Sequence, residues 1–144
     1  MNRPMMCFGI LLVCFGFLTM AGVVYAQAPE KEKDALAAAD MWLALVDAGK
    51  YAESWPETAV YFRNAVTLEQ LMQSLKAVRE PLGKEISRKV KTKTYATSLP
   101  GVPDGEYEVI QFETAFENKK SAVETLRVML DKDGKWRVSE YLIR

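Results

Sequence analysis

The residues of this chain that could do chemistry are acids, arginines, lysines and tyrosines, because the 144-residue sequence contains no histidine. Its two cysteines, Cys7 and Cys14, both lie in an apolar run near the N-terminus. These absences exclude Ser-His and Cys-His catalysis, and they exclude histidine- or thiolate-ligated metal sites beyond that run. General acid–base chemistry would fall to Asp, Glu, Tyr or Lys side chains with shifted pKa values. We therefore expect no cofactor.

Asp40 and Asp47 are the candidate acid–base residues. Seven positions apart in a predicted helix, they lie on nearly the same helical edge, beside the apolar residues Leu36 and Leu43. A carboxyl group held in an apolar pocket has a raised pKa, as the base of an isomerase requires. The sequence favours the alternative, in which both carboxylates are solvated at the margin of the apolar stripe.

Arg88 and Arg127 are candidate ligand-binding residues, because each interrupts an apolar or small-residue strand pattern. An inward arginine on a curved sheet could hold a ligand carboxylate through two parallel hydrogen bonds. It could equally form a structural ion pair with Glu113 or Glu124. The sequence favours the structural pair.

Lys89, Lys91 and Lys93 alternate along a predicted strand, and a period of two would place their ammonium groups on one face. Such a basic surface could bind an anion or an anionic polymer. The sequence favours a solvated edge strand, on which lysines discourage pairing with another sheet. The chain has 19 basic and 19 acidic residues, so we expect no nucleic-acid partner.

Aromatic residues are the last candidates for a binding site. Trp55, Tyr61 and Tyr107 could line a ligand pocket between helices and sheet. In a domain of this size, most aromatic side chains belong to the core. The sequence alone does not divide the two groups.

The apolar N-terminal run predicts a signal peptide over residues 1–26. One basic residue precedes the run, and the small residues Val24 and Ala26 stand before the predicted cleavage site. Residues 27–144 would then form a single domain, periplasmic or secreted. The alternative is an uncleaved anchor, since the run is long enough to span a bilayer. Only that alternative would make the membrane a partner.

The elements that must position these side chains are helices first and strands afterwards. Apolar residues recur at helical spacing in the first half of the mature chain. Two of the helices open with a capping box, Ser54 with Glu57 and Thr67 with Gln70. The three predicted helices cover residues 34–48, 54–64 and 67–81.

After Gly83 the hydrophobic period changes from helical to alternating, which predicts strands. Short connections favour an antiparallel meander, and the stretch SLPGVPDGEY at 98–107 is typical of a rigid double turn. The fold class is therefore α+β, with three helices packed on the sheet face that carries Ile110, Phe112 and Phe116. The four predicted strands cover residues 84–97, 106–117, 121–130 and 135–143.

Several stretches of the mature chain resemble a family of small exported bacterial proteins, domain of unknown function 4019. The resemblance implies no activity or catalytic motif, because the family has none assigned. Helices followed by a curved antiparallel sheet are also similar to cystatin-like and NTF2-like folds, which implies a cone-shaped pocket. The stretches are LALVDAGKYAESW, FRNAVTLEQ, VREPLGKEISRKV, SLPGVPDGEY and DGKWRVSEYLIR.

Three functions fit these patterns. The first is an exported, non-enzymatic domain that binds a small molecule or an envelope protein. The second is a cofactor-free acid–base enzyme of the isomerase or dehydratase type, which would use Asp or Glu with Tyr in the cone. The third is an envelope interaction protein that uses the strand of Lys89, Lys91 and Lys93.

Overall fold

The computed structural model of the chain describes residues 27–144, so the predicted signal peptide over residues 1–26 lies outside the described residues. Within them, four α-helices precede four strands, and two short 3-10 turns cover 55–57 and 80–82. None of these helices has both the length and the apolar character needed to cross a bilayer. The elements are α1 Gln27–Asp47, α2 Tyr51–Ser54, α3 Val60–Ala65, α4 Leu68–Arg79, β1 Glu85–Ala96, β2 Tyr107–Phe116, β3 Lys119–Leu130 and β4 Trp136–Ile143.

Helix α1 begins earlier than predicted, because its first turns are tied to the sheet. Lys31 Nζ donates to Glu106 Oε1 at 2.6 Å. A second hydrogen bond joins the helix to the sheet, because Lys93 Nζ donates to Glu32 Oε2 at 3.1 Å. The apolar stripe of the helix is buried as its spacing predicts, and it comprises Ala35, Ala39, Trp42, Leu43 and Val46.

The prediction of one continuous helix over residues 54–64 is wrong. Ser54 does not cap it, since it ends α2 and its hydroxyl donates to the Tyr51 carbonyl oxygen at 2.7 Å. The chain then becomes extended, and the Ala59 amide donates to the Val138 carbonyl oxygen on β4 at 2.8 Å. This pairing satisfies backbone groups that a continuous helix would satisfy internally.

Helix α4 begins and ends close to its predicted limits. Thr67 and Gln70 form the predicted capping box, with Gln70 N donating to Thr67 Oγ1 at 3.2 Å. The helix stops at Arg79, before a 3-10 turn that contains Pro81. Gly83 leaves this turn with φ of +72°, a conformation that favours glycine.

The four strands form an open antiparallel sheet in the chain order β1-β2-β3-β4, which confirms the predicted meander. Its inner face, the face toward the helices, carries the core of the molecule. The residues of β2 that were predicted to face the helices, Ile110, Phe112 and Phe116, lie there and are buried, together with Ala122, Leu126 and Val128 of β3, while Leu130 is only partly buried. The α+β class is therefore confirmed.

The connection between β1 and β2 is held by backbone bonds and by one aromatic side chain. Gly101 has φ of +78°, as a turn with glycine after proline requires. The Gly105 amide donates to the Thr97 carbonyl oxygen at 3.0 Å. The buried Tyr107 hydroxyl donates to the Pro103 carbonyl oxygen. These bonds agree with the predicted rigid connection.

Candidate functional site

A cluster of charged and hydroxyl side chains lies between the helices and the inner face of the sheet. At its centre, Glu124 on β3 is fully buried. Its Oε1 accepts from Arg88 Nε at 2.7 Å and from the Thr114 hydroxyl at 2.6 Å. Its Oε2 accepts from the Tyr141 hydroxyl at 2.5 Å. The carboxylate thus receives one donor from each of the other three strands.

Asp47, at the end of α1, extends this cluster to the helices. Arg88 donates to both oxygens of Asp47, at 2.7 and 3.0 Å. The buried Arg79 of α4 donates from Nη2 to Asp47 Oδ1 at 2.6 Å, and its guanidinium lies 4.9 Å from the centre of the Phe116 ring. Two arginines and two carboxylates leave the cluster without net charge, which is the arrangement that buried ions require.

The cluster shifts the pKa values of its own members. Burial alone would raise the pKa of Asp47, but hydrogen bonds from Arg88 and Arg79 outweigh it and hold that pKa below its ordinary value. Burial raises the pKa of Tyr141 well above its ordinary value, and the Glu124 carboxylate adds to the rise. At neutral pH, Asp47 is ionised and Tyr141 protonated, so neither is poised to exchange protons.

A cavity of about 350 Å³ lies beside the cluster, between α4 and the β4 edge of the sheet. Tyr141 belongs to both features, because it lines the cavity while its hydroxyl donates to Glu124. Its ring meets Trp42 edge-on, with 5.1 Å between the ring centroids. The apolar lining comes from Phe62, Leu71, Leu75 and Val78 on the helical side and from Val138, Leu142 and Ile143 on the strand.

The polar groups that line the cavity are mostly engaged elsewhere. The Thr58 hydroxyl donates to the Trp55 carbonyl oxygen at 2.6 Å, and Glu140 forms an ion pair with Arg127 at 3.3 Å. The indole Nε1 of Trp42 is buried and has no hydrogen-bond partner among the described residues. The lining therefore suits a mostly apolar, uncharged group, and an acceptor that reached this indole would gain a hydrogen bond.

The two predicted ligand-binding arginines lie on opposite faces of the sheet. Arg88 stands opposite Thr114 on the inner face, where Asp47 and Glu124 engage its guanidinium. Arg127 stands opposite Glu140 on the outer face and pairs with it. The geometry favours the structural ion pair for both residues, and neither lines the cavity.

The predicted single face of three lysines is wrong, because β1 contains register shifts that a period of two does not anticipate. Lys89 lies opposite Glu113 on the outer face and pairs with it at 3.1 Å. Lys91 falls in the register shift between Val90 and Thr92. Lys93 therefore returns to the inner face, where it meets α1. Lys89 and Lys91 do line a shallow groove of about 430 Å³ on the outer face.

None of the three aromatic candidates lines the cavity. Trp55 is half-buried and packs edge-on against Phe62, with 6.5 Å between the ring centroids. Tyr61 is exposed on α3, and the fully buried Tyr107 holds the connection between β1 and β2. For Trp55 and Tyr107 the structure favours a packing role, while binding by Tyr61 stays a prediction.

The two candidate acids have different surroundings. Asp47 is engaged by two arginines, as described above. Asp40 is an exposed residue, and partial burial of its carboxyl raises the pKa while the Arg88 guanidinium opposes the rise. Neither acid lines the cavity. Within residues 27–144, no group of three His, Cys, Asp or Glu side chains comes close enough together to hold a metal ion.

Sequence reasoning missed two features of the site. Arg79 is typical of the cations that end helices, so nothing in the sequence indicates that it is 5% exposed. Val78 and Leu142 are large apolar residues that stay 45% and 44% exposed. Their placement beside one cavity depends on how α4 packs over β4, which no local pattern encodes.

Comparison with known proteins identifies a family but no function. The family model described as "Protein of unknown function (DUF4019)" matches residues 38–141, which is most of the chain. A search of curated proteins found no match. A search of solved structures found none either. The matched region contains the ion cluster around Glu124 and nearly all of the cavity lining, and the chain belongs to the DUF4019 family.

Proposed function

We propose that this chain is an exported, non-enzymatic binding domain whose cavity beside β4 takes a mostly apolar, uncharged group. The observation that carries the proposal is a cavity of about 350 Å³ whose polar lining groups are largely engaged within the protein. That volume is within the range of small-ligand sites. A cystatin-like or NTF2-like architecture is part of the proposal, since such folds also pack helices on one face of an antiparallel sheet.

The positions, partners and pKa values of the carboxylates favour binding over acid–base catalysis. An isomerase-type base needs a carboxylate that faces the substrate with a pKa raised toward neutrality. Asp47 and Glu124 are engaged by arginines, and the lining carboxylate Glu140 pairs with Arg127. Asp40 has a raised pKa but does not line the cavity. Among residues 27–144, no acid therefore combines the required position with the required pKa in this cavity.

The first test is purification of the native protein from the envelope fraction, followed by mass spectrometry under non-denaturing conditions. We expect the protein to retain a molecule of low polarity, and we expect its polypeptide mass to match a chain whose first residue is Gln27. A polypeptide mass that matches a chain beginning at Met1 would contradict the removal of a signal peptide. If the preparations carry no bound molecule, the binding of added probes is measured instead.

The second test blocks the cavity from α4. Ser74 is exposed and lines the cavity, so Ser74→Trp should fill its opening without removing a buried contact. Ala77→Trp is the matched control, because Ala77 is an exposed residue of the same helix that does not line the cavity. We expect an environment-sensitive naphthalene dye to bind the parent and Ala77→Trp proteins alike, and to lose most of its affinity for Ser74→Trp. Equal dye binding by all three proteins would contradict the proposal.

A further inference from the structure

The backbone of β4 has an unpaired half that faces the cavity. Arg144 and Val123 exchange two backbone hydrogen bonds of 3.0 Å each. In an antiparallel pair, hydrogen-bonded and non-hydrogen-bonded residues alternate, so Leu142 also bonds toward β3. The N–H and C=O groups of Tyr141 and Ile143 therefore point away from β3, and none of them has a backbone partner among residues 27–144.

The other half of this same edge is already paired with a segment of the chain. Thr58 forms a parallel bridge with Val138, and the Ala59 amide donates to the Val138 carbonyl oxygen. This extended segment is short because α3 begins at Val60 and turns the chain away. The edge continues beyond it along the cavity, and no strand among residues 27–144 completes it there.

The two edges of the sheet differ in how they are protected. The β1 edge carries three lysines and two register shifts, both of which discourage the addition of another strand. The unpaired half of β4 has neither, and it presents apolar side chains such as Tyr141, Leu142 and Ile143. Backbone groups on an apolar edge are the usual template for adding a strand.

We propose that the occupant of the cavity is an extended peptide segment of a partner protein, which adds as a short strand to β4 beside Tyr141 and Ile143. This inference rests on the proposed binding function and names the class of ligand. Residues of α4 and Phe62 line the cavity opposite this edge, and we expect the space between them and β4 to take a single strand.

The cavity also sets the sequence that such a peptide needs. Successive side chains of a strand point to opposite sides, so every second one would enter the apolar space between Leu75 and Tyr141. The cavity's acid, Glu140, is already paired with Arg127 and provides no free charge for recognition. We expect the bound segment to be apolar at alternate positions and uncharged at those positions.

The experiment selects peptides from a displayed library of random dodecamers with the natively purified protein. Ile143→Pro removes the outward N–H of this residue, and it leaves the bonds to β3 intact because that N–H does not face β3. Ile143→Val keeps the N–H and serves as the matched control. We expect enriched peptides to bind Ile143→Pro about fivefold more weakly than Ile143→Val, the equivalent of one hydrogen bond, because both variants shorten the side chain and only the first lacks the N–H.

A scan of single N-methyl groups along one enriched peptide provides an independent measurement. Methylation of amides that face β4 should abolish binding, and methylation of the alternate amides should not, since those face away from the sheet. No enrichment of peptides, or equal binding by both variants with no alternation in the scan, would overturn the inference. Dye binding that Ser74→Trp still blocks would then leave the proposed function standing with a small molecule as the ligand.

Discussion

Glu124 has no solvent exposure, yet it is ionisable, and it is stabilised by donors from three strands. A buried carboxylate is tolerated only when its partners replace the hydrogen bonds that water would make. Arg88 supplies the opposite charge, while Thr114 and Tyr141 supply hydroxyl donors. Removal of one charge from such a pair leaves the other uncompensated, which costs more than the intact pair contributes.

We therefore expect Glu124→Gln to lower the free energy of unfolding by about 3 kcal/mol, measured by urea denaturation. Glu113→Gln is the control, because its ion pair with Lys89 is exposed and should contribute less than about 1 kcal/mol. Similar losses in the two variants would show that the buried cluster does not stabilise the fold.

Glu106 and Glu108 are near neighbours, and we expect their ionisation to change the stability of the fold in opposite directions. Burial raises the pKa of Glu108, with a further rise from Glu32 and an opposing effect of Lys93. Hydrogen bonds from Lys31 and then Tyr95 hold the pKa of Glu106 below its ordinary value. The ionised form of Glu108 therefore destabilises the fold above its unfolded pKa, and the ionised form of Glu106 stabilises it.

At neutral pH, Glu108→Gln should raise the urea midpoint and Glu106→Gln should lower it. Both differences should shrink as the pH falls to about 4, near the pKa that glutamate has in an unfolded chain. Unfolding curves of both variants and the parent protein at the two pH values measure this. A lower midpoint for Glu108→Gln at neutral pH would contradict the burial effect.

Among the elements, two capping boxes with the same sequence signature had different outcomes. Thr67 with Gln70 caps α4 as predicted, whereas Ser54 with Glu57 caps nothing. The difference is tertiary, because the chain after Ser54 pairs with β4 in place of continuing a helix. Local patterns could predict the strands and α4, but they could not predict a break caused by a distant edge.

Two glycines that end elements allow a test of backbone strain against close packing. Gly49 and Gly83 have φ of +73° and +72°, so an added Cβ is strained at both, and the ψ of −159° at Gly83 lies in a region that is essentially confined to glycine. At Gly49 it would meet open space, but at Gly83 it would lie 2.7 Å from Glu117 Oε2. We expect Gly49→Ala to cost about 1 kcal/mol in urea denaturation and Gly83→Ala at least about 2 kcal/mol. Equal costs would contradict an added penalty at Gly83 from its backbone conformation and its contact with Glu117.

On the scale of the whole molecule, the sequence predicted the class and strand order but not the candidate site. Alternation and short turns were sufficient for the meander, because each strand pairs with its neighbour in sequence. The cavity and the ion cluster depend on contacts between α1, α4 and β4, which are distant in sequence. Glu124 could be named only as a possible partner of Arg88, and Arg79 not at all. Register shifts in β1 likewise have no signature that would separate Lys89 from Lys93.

The parallel bridge between Thr58 and Val138 has a consequence for how the molecule folds. The meander can assemble hairpin by hairpin, because each turn closes a short loop at small entropic cost. The bridge joins the middle of the helical half to the last strand, so it closes a much longer loop than any hairpin turn does. We infer that this contact of the β4 edge forms late in folding. Changes to that edge should then alter the rate of unfolding more than the rate of folding.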